Sequence, residues 1–338
     1  LMTSNRKFIL KKRPQGTPKQ EDFELITENI PDLDNGSILI RNHFISLDPA
    51  IRGWLDDAPS YLPPVKIGDS VRATAIGQVE ASKNNNFKPG EWVLGLNGIE
   101  EFSIVEEGGF TAHIDNSIVP SPTNYLSILG AVGMTAYFGL LDAGKPKKGE
   151  TVLVSGAAGA VGSAVGQIAK IKGCRTIGIA GGPKKCERLI KDYGFDAAID
   201  YRDKDSNSLG KAISEAAPDG IDIIFENVGG EILDASLLSI NEHARVVLCG
   251  LISEYNTEHK GAKNLWQLIV KQAVIRGFLI RDYAPRFAEG GIEMAKWITD
   301  GKINFDEHIE KGIENTFDAF MLLFSGGNNG KLILDIRP

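Results

Sequence analysis

Three short stretches hold residue types from which chemistry could be built: SGAAGAVGSAVG at 155–166, AGGPKK at 180–185 and CGLISEYN at 249–256. The first follows the apolar run TVLV and opens into a helical pattern. In that context a glycine-rich G-x-G-x-x-G turn holds a dinucleotide pyrophosphate on a helix N-terminus. Laid on this pattern, the glycine positions fall on Ala157, Gly159 and Gly162, so the first glycine is missing. Gly159 lets the main chain approach a pyrophosphate, and Gly162 lets the helix pack closely on the sheet. Ala157 can replace a glycine only if the turn keeps φ negative there. The plain alternative is that the glycines serve packing alone.

The second stretch bears on which dinucleotide would bind. Enzymes that use NAD place an acidic side chain at the end of the second strand to hold the ribose 2′-hydroxyl. Here RTIGIA is followed by two glycines, Pro183, Lys184 and Lys185. Lysines are unfavourable near a helix N-terminus unless an anion is close, so a 2′-phosphate and hence NADPH is expected. A solvated helix start is the alternative. In an open parallel sheet the loops at the carboxyl ends of the strands face the ligand, which gives ENVGG (226–230) and CGLISEYN a view of the nicotinamide. Tyr255 is the single phenol in these two loops, and it reads either as a reacting group or as a half-buried loop tyrosine.

These stretches must be positioned by a fold of ordinary soluble composition. The 338 residues carry 42% hydrophobic and 24% charged side chains, a length that favours two domains. A net charge of −7 argues against a nucleic-acid partner held by a general basic field, so any phosphate site must be local. Three cysteines, Cys174, Cys186 and Cys249, are too few and too far apart for a disulfide framework or a thiolate zinc site. The five histidines form no metal-ligand spacing. A reducing, cytoplasmic setting and no metal are therefore expected. The uncharged runs 121–141 and 151–169 are broken by polar residues and glycine, which argues against membrane spans. The charged start RKFILKKR lacks the apolar segment of a secretory signal, and Leu1 ahead of Met2 reads as an addition to a natural start.

Texture changes along the chain. From Phe8 to about Val119, short apolar segments such as SILIRNHFISL and SVRATAIGQVEAS are broken by Gly, Pro and Asn, a β-rich, barrel-like pattern. From Thr151 to Ile280, apolar runs (TVLVS, RTIGIA, AAID, DIIFENV, ARVVLCG, VIRGFLI) alternate with amphipathic helical stretches, which gives an α/β, doubly wound parallel sheet. The strands and helix after Glu307 have no place in that sheet and are expected to return to the first domain.

The chain resembles the zinc-independent branch of the medium-chain dehydrogenase/reductase superfamily, within the group of NADPH-dependent curcumin reductases, leukotriene B4 12-hydroxydehydrogenase/prostaglandin reductases and alkenal double-bond reductases. The resemblance rests on AAGAVGSAVGQIAKIKGC, AGGPKKC, ENVGG, CGLISEYN, GMTAYFGLLDAG, SLDPAIRG and APSYLPPV, and it runs over essentially the whole length. It implies a GroES-like β-barrel domain (1–125 plus 305–338) carrying an inserted Rossmann domain (126–304), a homodimer, and NADPH-dependent reduction of α,β-unsaturated carbonyls. By motif, Gly159, Ala160, Val161, Gly162 and Ser163 would hold the pyrophosphate, Lys185 the 2′-phosphate, and Tyr201 the adenosine side. Asn227, Cys249, Gly250, Ile252, Ser253, Tyr255, Phe278, Leu279, Ile280 and Asn328 would line the rest of the cofactor. Tyr61 and Tyr255 match tyrosines that face the substrate, and Arg52 falls on the same side. Where the family has DPYMRG this chain has DPAIRG, so Ala50 leaves extra room or removes a stacking face. The Tyr255 hydroxyl is the expected donor to a substrate enolate. A quinone reductase and a non-catalytic NADPH-binding protein are the competing readings.

Overall fold

The structure is a computed structural model that describes residues 4–338; Leu1 and Met2 lie outside the described residues. It divides into two compact units: the residues up to Leu126 together with Glu307–Pro338, and Ser127–Asp306.

The first unit begins with the hairpin β1 (Ser4–Leu10) and β2 (Phe23–Asn29). Next come β3 (Ile38–Ser46), the single-turn α1 (Ile51–Trp54), β4 (Arg72–Ser82), β5 (Trp92–Gly98), β6 (Phe102–Val105) and β7 (Thr111–His113). Period-2 alternation directs Ala73 and Ala75 of β4 into a core with Leu10, Ile45, Leu55 and Ile99, while Arg72 and Thr74 face the other way.

The second unit opens with α2 (Ala131–Phe138). It then alternates β8 (Thr151–Ser155), α3 (Ala160–Ile171), β9 (Arg175–Ala180), α4 (Pro183–Lys191), β10 (Ala197–Asp200), α5 (Ser206–Ala216), β11 (Ile221–Glu226), α6 (Gly230–Leu237) and β12 (Ile240–Leu248). It closes with α7 (Trp266–Val270), β13 (Val274–Gly277) and α8 (Phe287–Thr299). All neighbours in the sheet are parallel, in the order β10-β9-β8-β11-β12-β13. Both faces are covered, which explains the unbroken apolar strands: in β8, Val152 and Val154 join one core cluster and Leu153 the other. Each fully buried Ile or Phe here contributes about 1.5–3 kcal/mol. The chain leaves β8 toward β9 and β10, then crosses back to β11. The crevice for a ligand therefore lies at the carboxyl ends of β8 and β11.

The chain then re-enters the first unit with β14 (Glu307–Lys311), α9 (Thr316–Ser325) and β15 (Lys331–Asp335). β15 pairs antiparallel with β3 and parallel with β14, completing a seven-stranded sheet. Among the described residues, no helix is long and apolar enough to cross a membrane, and no group of three or more His, Cys, Asp or Glu is placed to hold a metal ion.

Candidate active site

At the carboxyl end of β8 the glycine turn differs from the simple fingerprint. The left-handed residue is Gly156, with φ of 57°, and Ala157 is absent from the positive-φ residues. The turn glycine is thus displaced by one position, and the effective spacing is Gly156, Gly159 and Gly162. A Cβ on Gly162 would overlap the Gly156 carbonyl and lie 2.8 Å from the Ala157 Cα, so α3 meets the turn too closely for any side chain. Gly159 is the N-cap of α3 and supplies no side-chain cap. The first N–H groups of Ala160, Val161 and Gly162 consequently point out of the helix end without an intrahelical acceptor, as an anion requires. Ser163 is buried, and its N–H already closes the first turn on the Gly159 carbonyl at 3.0 Å.

At the ends of β9 and β10 a basic cluster forms. The Asp200 Oδ1 accepts the N–H of Gly182 at 2.9 Å and that of Arg202 at 3.0 Å, which ties the two loops together. A Cβ on Gly181 would lie 2.9 Å from the Arg202 Nε and 3.1 Å from the Tyr201 Oη, so both side chains cross over this glycine. Lys185, in the first turn of α4, is half-buried, whereas Lys184 is exposed. Burial, then Arg202 and Arg188, push the Lys185 ammonium below its ordinary pKa, since cations crowd it. Arg202 was not expected from the sequence. Its position two residues beyond a strand end carries no motif, and only the pairing of β9 with β10 brings it to Lys185.

The loops after β11 and β12 are joined by main-chain bonds. Cys249 and Gly250 donate to the Glu226 carbonyl at 2.9 and 3.2 Å, Ile252 to the Asn227 carbonyl at 3.1 Å, and Ser253 to the Val228 carbonyl at 3.0 Å. Beneath them lies the fully buried Glu226 carboxyl. Its Oε1 accepts the Ser155 hydroxyl, the Val228 N–H at 2.8 Å and the Gly229 N–H at 3.1 Å, while Oε2 is sealed with no partner. Burial outweighs these donors and raises its pKa. Asn227 is anchored by its side-chain amide, which donates to the Ser155 carbonyl at 2.7 Å.

Tyr255 folds back over its own loop. Its Oη accepts the Leu251 N–H at 3.2 Å, and a Cβ on Gly250 would lie 2.9 Å from it. A phenol that accepts from the main chain is polarised toward donating its own proton. Phe278, Leu279 and Ile280 follow β13, and the Phe278 ring meets Phe225 edge-on at 6.4 Å.

In the first unit, Ala50 caps α1 and packs against the core. Tyr61 is 39% exposed, and its Oη accepts the Trp54 indole N–H at 3.2 Å. Arg52 stands on α1. It is 4% exposed and donates to the Gly16 carbonyl at 2.9 Å and to Asp56 at 2.9 Å. A guanidinium fixed this way ties the 14–16 turn to α1. Asn328 donates its amide to the Gly330 carbonyl at 2.9 Å, beside the buried Lys331 that holds Asp48 at 2.5 Å.

Residues 6–112 match the family described as the N-terminal domain of oxidoreductase, and residues 160–297 the family described as zinc-binding dehydrogenase. The chain is 39% identical over 339 residues to the NADPH-dependent curcumin reductase of Escherichia coli, covering 98% of this chain and 97% of that one. It is 38% identical over 340 residues to the NADP-dependent 2-alkenal reductase of Nicotiana tabacum, with coverage of 98% and 97%. The crystal structure of CurA from Vibrio vulnificus in complex with NADPH superposes with a TM-score of 0.92 at 40% identity, covering 98% of this chain and 99% of that one.

Proposed function

The chain belongs to the NADP-dependent, zinc-independent branch of the medium-chain dehydrogenase/reductase family, and from that premise we propose that it reduces the carbon–carbon double bond of α,β-unsaturated ketones and aldehydes. It is an NADP-dependent oxidoreductase with a GroES-like and a Rossmann domain, and NADPH is its cofactor. The observation that carries the proposal is Tyr255, whose phenol is polarised by the Leu251 N–H in a loop pinned to Glu226, Asn227 and Val228.

The residues fit the cofactor. A glycine cradle that a Cβ would fill precedes α3, and Arg202 and Arg188 crowd Lys185 with like charge. The main chain of 160–163 would hold the pyrophosphate, and Lys185, Arg202 and Tyr201 the 2′-phosphate side. Asn227, the loop 249–255, residues 278–280 and Asn328 would line the remainder. When bound, NADPH supplies a hydride to the substrate β-carbon. The π electrons of the double bond move to the carbonyl oxygen, where the Tyr255 hydroxyl stabilises the enolate by donating a hydrogen bond. A proton then adds at the α-carbon, so one hydride and one proton saturate the bond. Ala50 and Tyr61 would face the substrate.

A second copy of the chain would suit the edge of β13, which among the described residues pairs with β12 alone. Val274 and Ile275 on that strand, and Trp266 (67% exposed) and Ile269 (66%) on α7, are apolar residues open to solvent. An edge strand pairing with itself about a two-fold axis buries all of them at once. Light scattering that reported a monomer at micromolar concentration would remove this part. The three free cysteines suit a reducing compartment such as the cytoplasm.

The test is Tyr255→Phe assayed with NADPH and 4-phenylbut-3-en-2-one. Turnover is expected to fall roughly 100-fold with NADPH affinity unchanged. Unaltered turnover would take Tyr255 out of the mechanism.

A further inference from the structure

The carboxyl end of β11 holds an acidic side chain that is closed to solvent. Glu226 is 0% exposed, and its Oε2 is sealed. β11 lies between β8 and β12 in the sheet, with Phe225 opposite Val154 and Glu226 opposite Leu248. The side chain therefore stands where three neighbouring strands give way to loops. Three donors from two of those loops converge on its Oε1: the Ser155 hydroxyl, the Val228 N–H and the Gly229 N–H. Two consecutive main-chain N–H groups aimed at one point form a concavity that ordinarily takes an anion. Here the chain fills it with its own carboxyl.

The bonds continue from this carboxyl to residues assigned to the cofactor. The Ser155 Oγ accepts the Asn227 N–H at 2.9 Å, and the Ser155 carbonyl accepts the Asn227 side-chain amide at 2.7 Å. A Cβ on Gly156 would lie 3.3 Å from the Asn227 Cβ, so the glycine turn and Asn227 are set against each other. The main-chain carbonyl of Glu226 accepts the N–H groups of Cys249 and Gly250 at 2.9 and 3.2 Å, and the Tyr255 Oη closes over Gly250. One residue thus ties together the turn after β8, the Asn227 loop after β11 and the Tyr255 loop after β12. Withdrawing an ionisable group from water is costly, and packing alone does not require one. An apolar side chain in its place would leave all three donors without their acceptor.

We propose that Glu226 is a positioning residue for the nicotinamide half of NADPH: as a hydrogen-bond acceptor reaching two loops at once, it fixes Asn227 and the Tyr255 loop as the surface against which the ring rests. It acts through these neighbours, because its carboxyl is closed to any ligand. What the site requires of it is acceptance at that reach, and an uncharged acceptor of the same length supplies it equally well. The N-termini of α3 and α4, proposed to hold the phosphates, take no bond from this carboxyl. Losing it accordingly loosens the ring while the phosphates stay held. This rests on the proposed placement of the nicotinamide against the loops after β11 and β12.

The test titrates the full chain with NADPH by calorimetry and records the emission anisotropy of the bound nicotinamide, which falls when the ring swings against the protein on the nanosecond timescale. With Glu226→Leu, the Kd for NADPH is expected to stay within about 3-fold while the anisotropy falls by about a third or more. Turnover of 4-phenylbut-3-en-2-one is expected to drop roughly 100-fold, the scale of an ångström's misplacement. Glu226→Gln keeps the acceptor and is expected to restore anisotropy and turnover to within about 3-fold of the wild type. Ser155→Ala, which removes one donor to the carboxyl and the acceptor of the Asn227 N–H, decides the matter if Glu226→Leu does not fold: a smaller fall in anisotropy at unchanged Kd supports the proposal. A Gln variant as loose as the Leu variant would show that charge is required and overturn it. So would an anisotropy unchanged in both Glu226→Leu and Ser155→Ala, or a Kd lost in step with the anisotropy, which marks a merely structural role. A nicotinamide already mobile in the wild type removes both its placement at these loops and the proposal. If the wild type holds the ring still yet does not reduce the enone, the reductase reading fails, and the anisotropy still decides the role of Glu226.

Discussion

The two units carry their functional residues in different currencies. In Ser127–Asp306 the site is made largely of main chain: the turn at Gly156, the open N–H groups of α3, and the loops after β11 and β12 zipped by backbone bonds. In the other unit the residues proposed to face the substrate, Ala50 and Tyr61, are side chains of ordinary identity. Main-chain sites constrain residue type, because only glycine tolerates the φ or the close approach. Side-chain sites do not, so a substrate can be exchanged without altering the fold.

This difference can be broken or sharpened by substitution. Gly162→Val should have the largest effect, since its side chain collides with the Gly156 carbonyl and the Ala157 Cα. NADPH affinity is expected to drop roughly 100-fold in a fluorescence titration, against no change for substitution of Tyr61. A Gly162→Val protein that bound NADPH normally would end the claim that the cradle is main chain.

Lys185→Ala and Arg202→Ala come next. Each is expected to weaken NADPH about 10- to 100-fold and to leave NADH within about 3-fold, because on the proposed assignment each would remove one charged hydrogen bond to the 2′-phosphate. Loss of both cofactors to the same extent would show instead that the loops tied by Asp200 had come apart.

The smallest effect concerns Glu226 and pH. Its folded pKa is raised above the ordinary 4.5, so the folded state holds a proton that the unfolded chain releases near 4.5. The resulting stability is full below that pH and is lost as pH rises toward the folded value. Glu226→Gln cannot ionise, so its thermal midpoint should gain on the wild type as pH rises from acid to neutral. A constant difference across that range would mean the carboxyl is already ionised in the folded protein.

Much of the second unit was legible in the sequence. The apolar strands, the glycine turn and the lysines after RTIGIA each had a physical reason to be what they are. The α/β alternation predicted a doubly wound parallel sheet, and the second unit holds one of six parallel strands. Ala157 was taken as standing in for a missing glycine, whereas the left-handed position is one residue earlier, because the strand ends at Ser155. Arg202 was not legible at all: strand pairing delivers it to Lys185, and it leaves no local pattern. The sequence left the role of Arg52 open, and its burial and bonds to the 14–16 turn came only with the structure.

The most direct measurement follows the hydrogen itself. The protein is incubated with 4-deuterated NADPH of the transferable face and 4-phenylbut-3-en-2-one, and the product is examined by NMR. Deuterium at the β-carbon of the saturated ketone is the expected result. Deuterium on the carbinol carbon of an allylic alcohol, or transfer to a quinone with none to the enone, would contradict double-bond reduction by this protein.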